Sequence, residues 1–96
     1  TAYVVNTARG GIVDEGALYD ALKSKSIAGA GIDPFVVEPA SPDNPLFELD
    51  NIIVSPHSAG VTKEAVFRMG QTAAQNVVDC FDGKLDPANV INKEVL

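Results

Sequence analysis

The only histidine in this chain, His57, lies in the motif SPHSAG, directly after the apolar run NIIV. Three charged side chains follow other apolar runs: Arg9, Asp33 and Glu38. An imidazole can take up or release a proton near neutral pH, and a carboxylate bonded to one ring nitrogen fixes its tautomer and stabilises its cationic form. A guanidinium binds a carboxylate through two parallel hydrogen bonds. If brought together, such side chains would bind a small organic acid and move a proton at its neighbouring carbon.

Three predicted strands would position these side chains. They are the apolar runs AYVVN at 2–6, IAGAGID at 27–33 and NIIVSP at 51–56. The first run is continuously apolar, which is typical of a strand buried on both faces, and the second consists of small residues over which a helix can pack closely. Gly10 and Gly11 end the first run, because glycine adopts backbone conformations that other residues resist.

Two helices are predicted. The first covers VDEGALYDALKSKS, with Asp14 as its N-cap and Glu15 as a surface charge that suits the helix start. The longer helix begins near Thr62, runs to about Asp82 and stops at Gly83. A stripe on the longer helix is interpreted as core or interface, with its cysteine a small buried residue and not a nucleophile: Val66, Met69, Ala73, Val77 and Cys80.

The remaining segments lack clear helical or strand patterns. Four prolines in PFVVEPASPDNP exclude a regular helix, and the following LFELD is ambiguous, consistent with one short helical turn. The tail DPANVINKEVL is predicted to be mostly loop, with NVIN extended.

The order strand, helix, strand, loop, strand, helix predicts an α/β fold with an open parallel sheet of the Rossmann-like type. Such sheets bind ligands beyond the carboxyl ends of their strands, so the charged side chains and the imidazole are expected along one edge. Plainer interpretations remain open for each residue. Arg9 could be a surface charge, and Asp33 a turn former before proline. Glu38 could be a solvated loop residue, and His57 an exposed or hydrogen-bonded histidine.

The charge and the cysteine content exclude several classes of ligand and partner. The 96 residues carry 7 basic and 13 acidic side chains, a net charge of −6, which disfavours nucleic-acid binding. One cysteine allows no internal disulfide and no cysteine-rich zinc site, and we expect no metal. Without a membrane-length apolar run or a signal peptide, we expect no membrane association and a cytoplasmic location. The sequence starts inside a strand-like run, so we expect a piece of a longer protein.

Three motifs resemble those of a known family. NTARGGIVDEGAL, GAGID with EP five residues later, and SPHSAG with a threonine soon after closely resemble the D-isomer-specific 2-hydroxyacid dehydrogenases. That family includes D-3-phosphoglycerate dehydrogenase and glyoxylate/hydroxypyruvate reductase. The resemblance implies hydride transfer between NAD or NADP and a 2-hydroxy or 2-oxo acid, in a cleft between two Rossmann-like domains. Residues 1–60 would be the C-terminal part of the NAD-binding domain, and residues 61–96 a helix and tail returning toward an absent substrate domain.

The resemblance also implies roles for individual residues. Arg9 would orient the carboxylate and carbonyl of the substrate, Glu38 would partner the histidine, and His57 would exchange the proton at the substrate oxygen. Asp33 would contact the nicotinamide carboxamide. The complete set of implied cofactor-binding residues is Thr7, Ala8, Arg9, Asp33, His57, Ser58, Ala59 and Gly60.

This sequence departs from the family pattern. Pro34 stands where the family has an aliphatic residue, and it stiffens the link between Asp33 and Glu38. Val36 stands where the family has an acid, but not the acid that is matched to catalysis. The GxGxxG turn that seats the pyrophosphate does not occur in these residues, so we expect the isolated chain to be inactive. The alternative function is a protein-binding module, like the corepressor-type relatives of the same fold. For the intact protein we expect a homodimer.

Overall fold

The computed structural model describes residues 1–95. Its strands and α-helices, in chain order, are β1 (Tyr3–Asn6), α1 (Glu15–Lys23), β2 (Gly29–Ile32), β3 (Ile52–Val54) and α2 (Lys63–Phe81). Short 3-10 helices cover Pro45–Glu48, Pro87–Asn89 and Lys93–Val95. The chain divides into two compact units: the first unit is residues 1–60, and the second unit begins at residue 61.

The strands of the first unit form a parallel sheet in the order β1-β2-β3. The register places Asn6 beside Ile32 and Ile32 beside Val54, so the three strands end at one side of the sheet, here named the carboxyl edge. Helix α1 connects β1 to β2, which is the crossover that a parallel pair requires. The predicted α/β, Rossmann-like fold is therefore confirmed.

Helix α1 begins at the predicted cap and packs on the sheet. The Asp14 side chain accepts a hydrogen bond from the Ala17 amide at 2.8 Å. Leu18 and Leu22, one turn apart, are buried in the core. The whole buried cluster consists of Leu18, Leu22, Ala30, Ile32, Phe35 and Leu46. Burying each of the large side chains contributes about 1.5–3 kcal/mol, which holds helix and loop against the sheet.

The two faces of the sheet differ in their burial. Ala30 and Ile52 are register partners on the face that contacts the core cluster. On the other face Tyr3, Val5 and Ile53 are each more than 70% exposed. The prediction that the first strand is buried on both faces is therefore wrong for this chain, because none of the described elements of the first unit covers that second face.

The loop between β2 and β3 packs on the core without forming an α-helix, as its prolines predict. Its 3-10 helix, Pro45–Glu48, begins one residue before the LFELD segment. Asn44 caps this helix, since its side chain accepts a hydrogen bond from the Leu46 amide at 3.0 Å. Leu46 is buried, and the rings of Phe35 and Phe47 meet edge to face at 5.5 Å.

Helix α2 begins and ends where the sequence predicts. The Thr62 side chain accepts a hydrogen bond from the Ala65 amide at 3.1 Å, and Gly83 follows the helix with a φ of 67°. None of the helices among residues 1–95 is long and apolar enough to cross a membrane.

The second unit differs from the prediction in the burial of its apolar stripe. Its apolar stripe is exposed, including Cys80, so the prediction of a buried cysteine is wrong. The physical reason is that the second unit consists of one long helix and short turns, which provide no second layer for packing. The segment NVIN was predicted to be extended: Val90 has extended backbone, with φ −111° and ψ 119°, whereas Asn89 belongs to a 3-10 helix and the described chain forms no strand there.

Candidate active site

The His57 imidazole and the Glu38 carboxylate meet beyond the carboxyl edge. Nδ1 of the ring lies 2.9 Å from each of the two carboxylate oxygens. We assign the proton of the neutral ring to Nδ1, which donates to the carboxylate and leaves Nε2 as an acceptor. The two side chains are 42% and 40% exposed, so a ligand can reach them. This arrangement suits the transfer of a proton at Nε2.

The backbone around His57 holds the ring in this position. The His57 amide donates to the carbonyl oxygen of Asp33 at 3.2 Å, and the φ of His57 is 55°. That left-handed conformation costs a residue with a side chain about 1–3 kcal/mol, and it persists only where surrounding contacts hold it. Here those contacts are the hydrogen bonds that Ser55, before His57, and Ser58 and Ala59, after it, donate to the Asp33 side chain.

Asp33 organises the loop that carries the histidine. Its side chain is 3% exposed, and its Oδ1 accepts hydrogen bonds from the Ser55 hydroxyl and, at 2.8 Å, from the Ser58 amide. Its Oδ2 accepts one from the Ala59 amide at 3.0 Å. The Ser55 hydroxyl holds the pKa of Asp33 below its ordinary value, the two amides and His57 act in the same direction, and burial opposes them. An ionised Asp33 therefore fixes the SPHSAG loop.

The predicted contact between Asp33 and a nicotinamide carboxamide stays a prediction. Its Oδ2 has one recorded hydrogen bond and can accept a second, which leaves capacity for a ligand N–H.

Glu38 is held by its own loop and by a glycine of the preceding turn. Its Oε1 accepts a hydrogen bond from the Phe35 amide at 3.2 Å. The carbonyl oxygen of Phe35 would lie 2.1 Å from a Cβ built on Gly10, so only glycine fits there with the loop in this position. Pro34, which departs from the family motif, is fully buried, and Glu38 contacts His57 with this proline in the loop.

Arg9 lies beyond the same edge but makes a different contact. Its Nη1 donates to the Ala8 carbonyl at 2.6 Å, and the side chain is exposed. The buried Asn6 anchors its backbone: Nδ2 donates to the Arg9 carbonyl at 2.9 Å and Oδ1 accepts from the Ala8 amide at 3.1 Å. No ion pair joins Arg9 to a carboxylate in the part of the chain that the structure describes. The guanidinium is therefore available to an anionic ligand.

The other predicted cofactor-binding residues lie in two short exposed segments beyond the strand ends. Thr7 and Ala8 follow β1, and residues 58–60 follow β3. Their side chains are small, which leaves room for a flat ring against the backbone. Residues 1–95 contain no group of histidine, cysteine and acidic side chains suited to a metal ion.

A cavity of about 700 Å³ opens beside the histidine and its partner, a size that suits a small-molecule ligand. Its polar lining consists of Asp33, Glu38, Ser55 and His57. Its apolar lining consists of Phe35, Pro39, Ala40, Phe47, Val54 and Pro56.

Sequence reasoning missed three residues that support the site. Asn6 and Ser55 are polar residues at or just after the end of an apolar run, a signal for side-chain bonds to a turn that was available in the sequence. Glu15 was interpreted as a surface charge, yet its carboxylate accepts a hydrogen bond from the Val36 amide at 2.7 Å. No local signal marks that contact, because it joins positions 21 residues apart.

Comparison with known proteins gives the family. The family described as "D-isomer specific 2-hydroxyacid dehydrogenase, NAD binding domain" matches residues 1–59. A glyoxylate reductase from Thermofilum pendens is 49% identical over 96 residues, which cover 100% of this chain and 28% of the relative. A D-3-phosphoglycerate dehydrogenase from Archaeoglobus fulgidus is 48% identical over 89 residues, which cover 93% of this chain and 17% of the relative.

Solved structures agree with the sequence relatives. A D-isomer specific 2-hydroxyacid dehydrogenase from Lactobacillus delbrueckii, in its NAD complexed form, superimposes with a TM-score of 0.78 at 31% identity, covering 95% of this chain and 31% of that protein. An NADPH-dependent glyoxylate/hydroxypyruvate reductase from Sinorhizobium meliloti, in complex with NADP and malonate, gives 0.75 at 35% identity, covering 83% and 25%. The chain thus spans less than a third of the length of these relatives. Because the family match covers more than half of its residues and the fold agrees, this chain belongs to the NAD-binding domain family of the D-isomer specific 2-hydroxyacid dehydrogenases, as its motifs predicted.

Proposed function

We propose that the intact protein carrying this chain is an NAD(P)-dependent D-2-hydroxyacid dehydrogenase, which transfers hydride between its cofactor and a small 2-hydroxy or 2-oxo acid. The observation that carries the proposal is the contact of His57 with Glu38, at 2.9 Å beyond the carboxyl edge of a parallel sheet. Relatives named glyoxylate reductase and D-3-phosphoglycerate dehydrogenase favour an oxidoreductase over a protein-binding module of the corepressor type.

His57 carries out the proton transfer in this proposal. With Nδ1–H donated to Glu38, Nε2 is the nitrogen that exchanges a proton with the substrate. In the oxidation direction Nε2 accepts the proton of the substrate hydroxyl, and in the reduction direction it returns that proton to the oxygen. The Glu38 carboxylate stabilises the imidazolium that forms and keeps the ring in one orientation.

Arg9 binds and orients the substrate acid. Its exposed guanidinium can donate two parallel hydrogen bonds to a carboxylate, which fixes the position of the neighbouring carbon. The Asn6 side chain supports this role, because it bonds to the backbone of Arg9 and of the preceding Ala8.

The nicotinamide, when bound, supplies or takes up the hydride at the second carbon of the substrate. The fit to this chain rests on the small, exposed residues beyond β1 and β3 and on the free acceptor capacity of Asp33. The residues that would hold the ring are Thr7, Ala8, Arg9, Asp33, His57, Ser58, Ala59 and Gly60. Since GxGxxG does not occur in the 96 residues, other parts of the intact protein would hold the pyrophosphate, and the isolated chain would be inactive.

The proposal extends to the organisation of the intact protein. Residues 1–60 would complete its NAD-binding domain, and residues 61–96 would return toward the substrate domain. We propose that the intact protein is cytoplasmic and forms a homodimer. Sedimentation of the intact protein measures its oligomeric state.

Turnover of the intact protein with glyoxylate and reduced nicotinamide nucleotide tests the function. His57→Gln should lower kcat about 10²–10⁴-fold, the usual contribution of a general acid-base, with a milder effect on nucleotide binding measured by titration. Glu38→Gln should lower kcat as well, because the neutral amide stabilises the imidazolium less. Glu48→Gln, an exposed acid of the same loop, is the matched control and should keep the parent rate.

Two results would contradict the proposal. One is the absence of turnover with every small 2-oxo acid and both nucleotides. The other is a kcat of His57→Gln equal to that of the Glu48→Gln control. Retention of a peptide partner without any hydride transfer would favour the corepressor-type alternative.

A further inference from the structure

Two consecutive backbone amides of the loop after β2 are each bound by a carboxylate. The Phe35 amide donates to Oε1 of Glu38 at 3.2 Å. The next amide, that of Val36, donates to Oε1 of Glu15 at 2.7 Å. Glu38 therefore bonds to its own loop, and that loop is in turn bonded to helix α1 through the Val36 amide, two residues before Glu38.

The second oxygen of Glu15 reaches the far end of the same loop. Asn44 Nδ2 donates to Oε2 of Glu15 at 3.2 Å, while Asn44 Oδ1 caps the helix Pro45–Glu48. One side chain on the first turn of α1 thus connects both ends of the segment 36–44. Because α1 is fixed on the sheet by Leu18 and Leu22, this connection relates the loop to the rigid core.

Apolar packing does not hold the stretch that Glu15 binds. Val36 and Val37 are 60% and 68% exposed, and Glu38 itself is exposed. Phe35, by contrast, is buried and needs no such support. Between the buried Phe35 and Glu38, the backbone makes one recorded hydrogen bond to the remainder of the first unit, from the Val36 amide to Glu15, and Gly10 lies close to the Phe35–Val36 peptide.

We infer that Glu15 is a positioning residue for Glu38, and through Glu38 for His57. The inference rests on the function proposed above, because its effect is read in turnover. Glu15 holds the Val36 amide, the loop then keeps the Glu38 carboxylate at 2.9 Å from Nδ1, and the ring keeps its reactive Nε2 in one place. A displacement of about 1 Å at such a group lowers turnover on the order of 10²-fold.

Glu15 also occupies the first position of α1, where a negative charge interacts favourably with the helix dipole. Two conservative variants separate the two roles. Glu15→Gln keeps the length of the side chain and an oxygen that accepts from the Val36 amide, but it removes the charge and replaces the oxygen that accepts from Asn44 Nδ2 with a donor. Glu15→Asp keeps the charge at the helix start but is one methylene shorter, too short for the 2.7 Å contact.

The experiment measures kcat and KM of these variants in the intact protein with glyoxylate and the preferred nucleotide. Glu15→Ala and Glu15→Asp should lower kcat about 10–100-fold with KM for the nucleotide nearly unchanged, and Glu15→Gln should retain most of the parent rate. Asp20→Ala, an exposed acid on the same helix, is the matched control and should behave as the parent. A rate for Glu15→Asp equal to the parent, with a reduced rate for Glu15→Gln, would assign Glu15 to helix stabilisation and overturn the inference.

A double-mutant cycle with Glu38→Ala tests whether Glu15 acts through Glu38. If it does, Glu15→Ala should lower kcat far less in the Glu38→Ala background than in the parent. Additive losses would overturn the inference even if Glu15→Ala destabilises the fold. Failure of the proposed function would look different, since the parent protein itself would then reduce no 2-oxo acid.

Discussion

The two units of the chain contain helices with the same sequence signals and different surroundings. Both α1 and α2 begin at a side-chain cap and both carry an apolar stripe. Helix α1 buries Leu18 and Leu22 against the sheet, whereas none of the 19 residues of α2 is buried. An amphipathic pattern therefore specifies a helix and its apolar face, but it does not specify what covers that face.

The same difference explains where the chemistry lies. Every residue predicted for catalysis or cofactor binding belongs to the first unit, and each follows a strand whose backbone is fixed by the sheet. Side chains that exchange protons must be held within a fraction of an ångström, and a packed core provides that rigidity. The second unit, without a core of its own, contributes none of these residues.

The largest expected effect is a loss of stability when a large apolar side chain is replaced by alanine, and this loss should differ between the two units. Leu22→Ala should cost about 2–5 kcal/mol, because it leaves a cavity at a fully buried position. Val77→Ala should cost about 0.5 kcal/mol or less, because Val77 is already 57% exposed. Urea denaturation of the 96-residue chain, followed by circular dichroism, measures both. A loss for Val77→Ala as large as that for Leu22→Ala would contradict the comparison, because it would show that Val77 is buried in solution.

A pair of glycine variants should give opposite signs in the two units. Gly10→Ala should cost about 1–3 kcal/mol, because its Cβ would lie 2.1 Å from the Phe35 carbonyl oxygen. Gly70→Ala, inside α2 with no neighbouring atom within 4 Å of its Cβ, should stabilise the chain by about 0.5–1 kcal/mol. Thermal unfolding of both variants provides the measurement.

The Gly10 variant also bears on the site. In the intact protein Gly10→Ala should lower kcat, since the displaced loop carries Glu38. A stable Gly10→Ala protein with the parent rate would show that the close approach to Phe35 does not matter for the position of Glu38.

The smallest expected effect is a change in how stability depends on pH. The pKa of Asp33 is lowered on folding, so its contribution is complete above the pKa of an unfolded aspartate, about 3.9, and is lost as the pH falls through the lower folded value. Ser55→Ala removes the hydroxyl that lowers this pKa most, so the acid loss of stability below about pH 4 should become shallower. Denaturant titrations at a series of pH values measure the slope. Thr72→Ala, on the exposed helix of the second unit, is the control, and a Ser55→Ala slope equal to that control would contradict the assignment.

Much of the fold could be predicted from local signals. Asp14 and Thr62 were predicted as caps because a side-chain oxygen before an amphipathic run can bond to a free amide, and the structure places both there. The strands were predicted from apolar runs and turn residues, with ends that extend at most two residues too far. Burial was harder to predict: the exposed face of β1 and the exposed Cys80 depend on which elements lie nearby, and sequence periodicity carries no such information.

The candidate site could likewise be predicted only in part from the sequence. Topology alone indicated that Glu38 and His57 would share an edge, and the structure brings them to 2.9 Å, although their roles in catalysis stay a prediction. Arg9 was expected to converge with them, yet its recorded hydrogen bond is to Ala8. The support from Glu15 could not be predicted, because no local pattern joins a helix start to a loop amide 21 residues away.

The sequence by itself determined where the helices start and stop, that the strands run parallel, and the family to which the chain belongs. These features follow from caps, apolar runs and motif spacing, which are properties of neighbouring residues. Only the tertiary structure decided which faces are covered and which carboxylate holds the loop that carries Glu38. Those outcomes depend on contacts between residues far apart in the chain, whose geometry exists only once the sheet and α1 have packed.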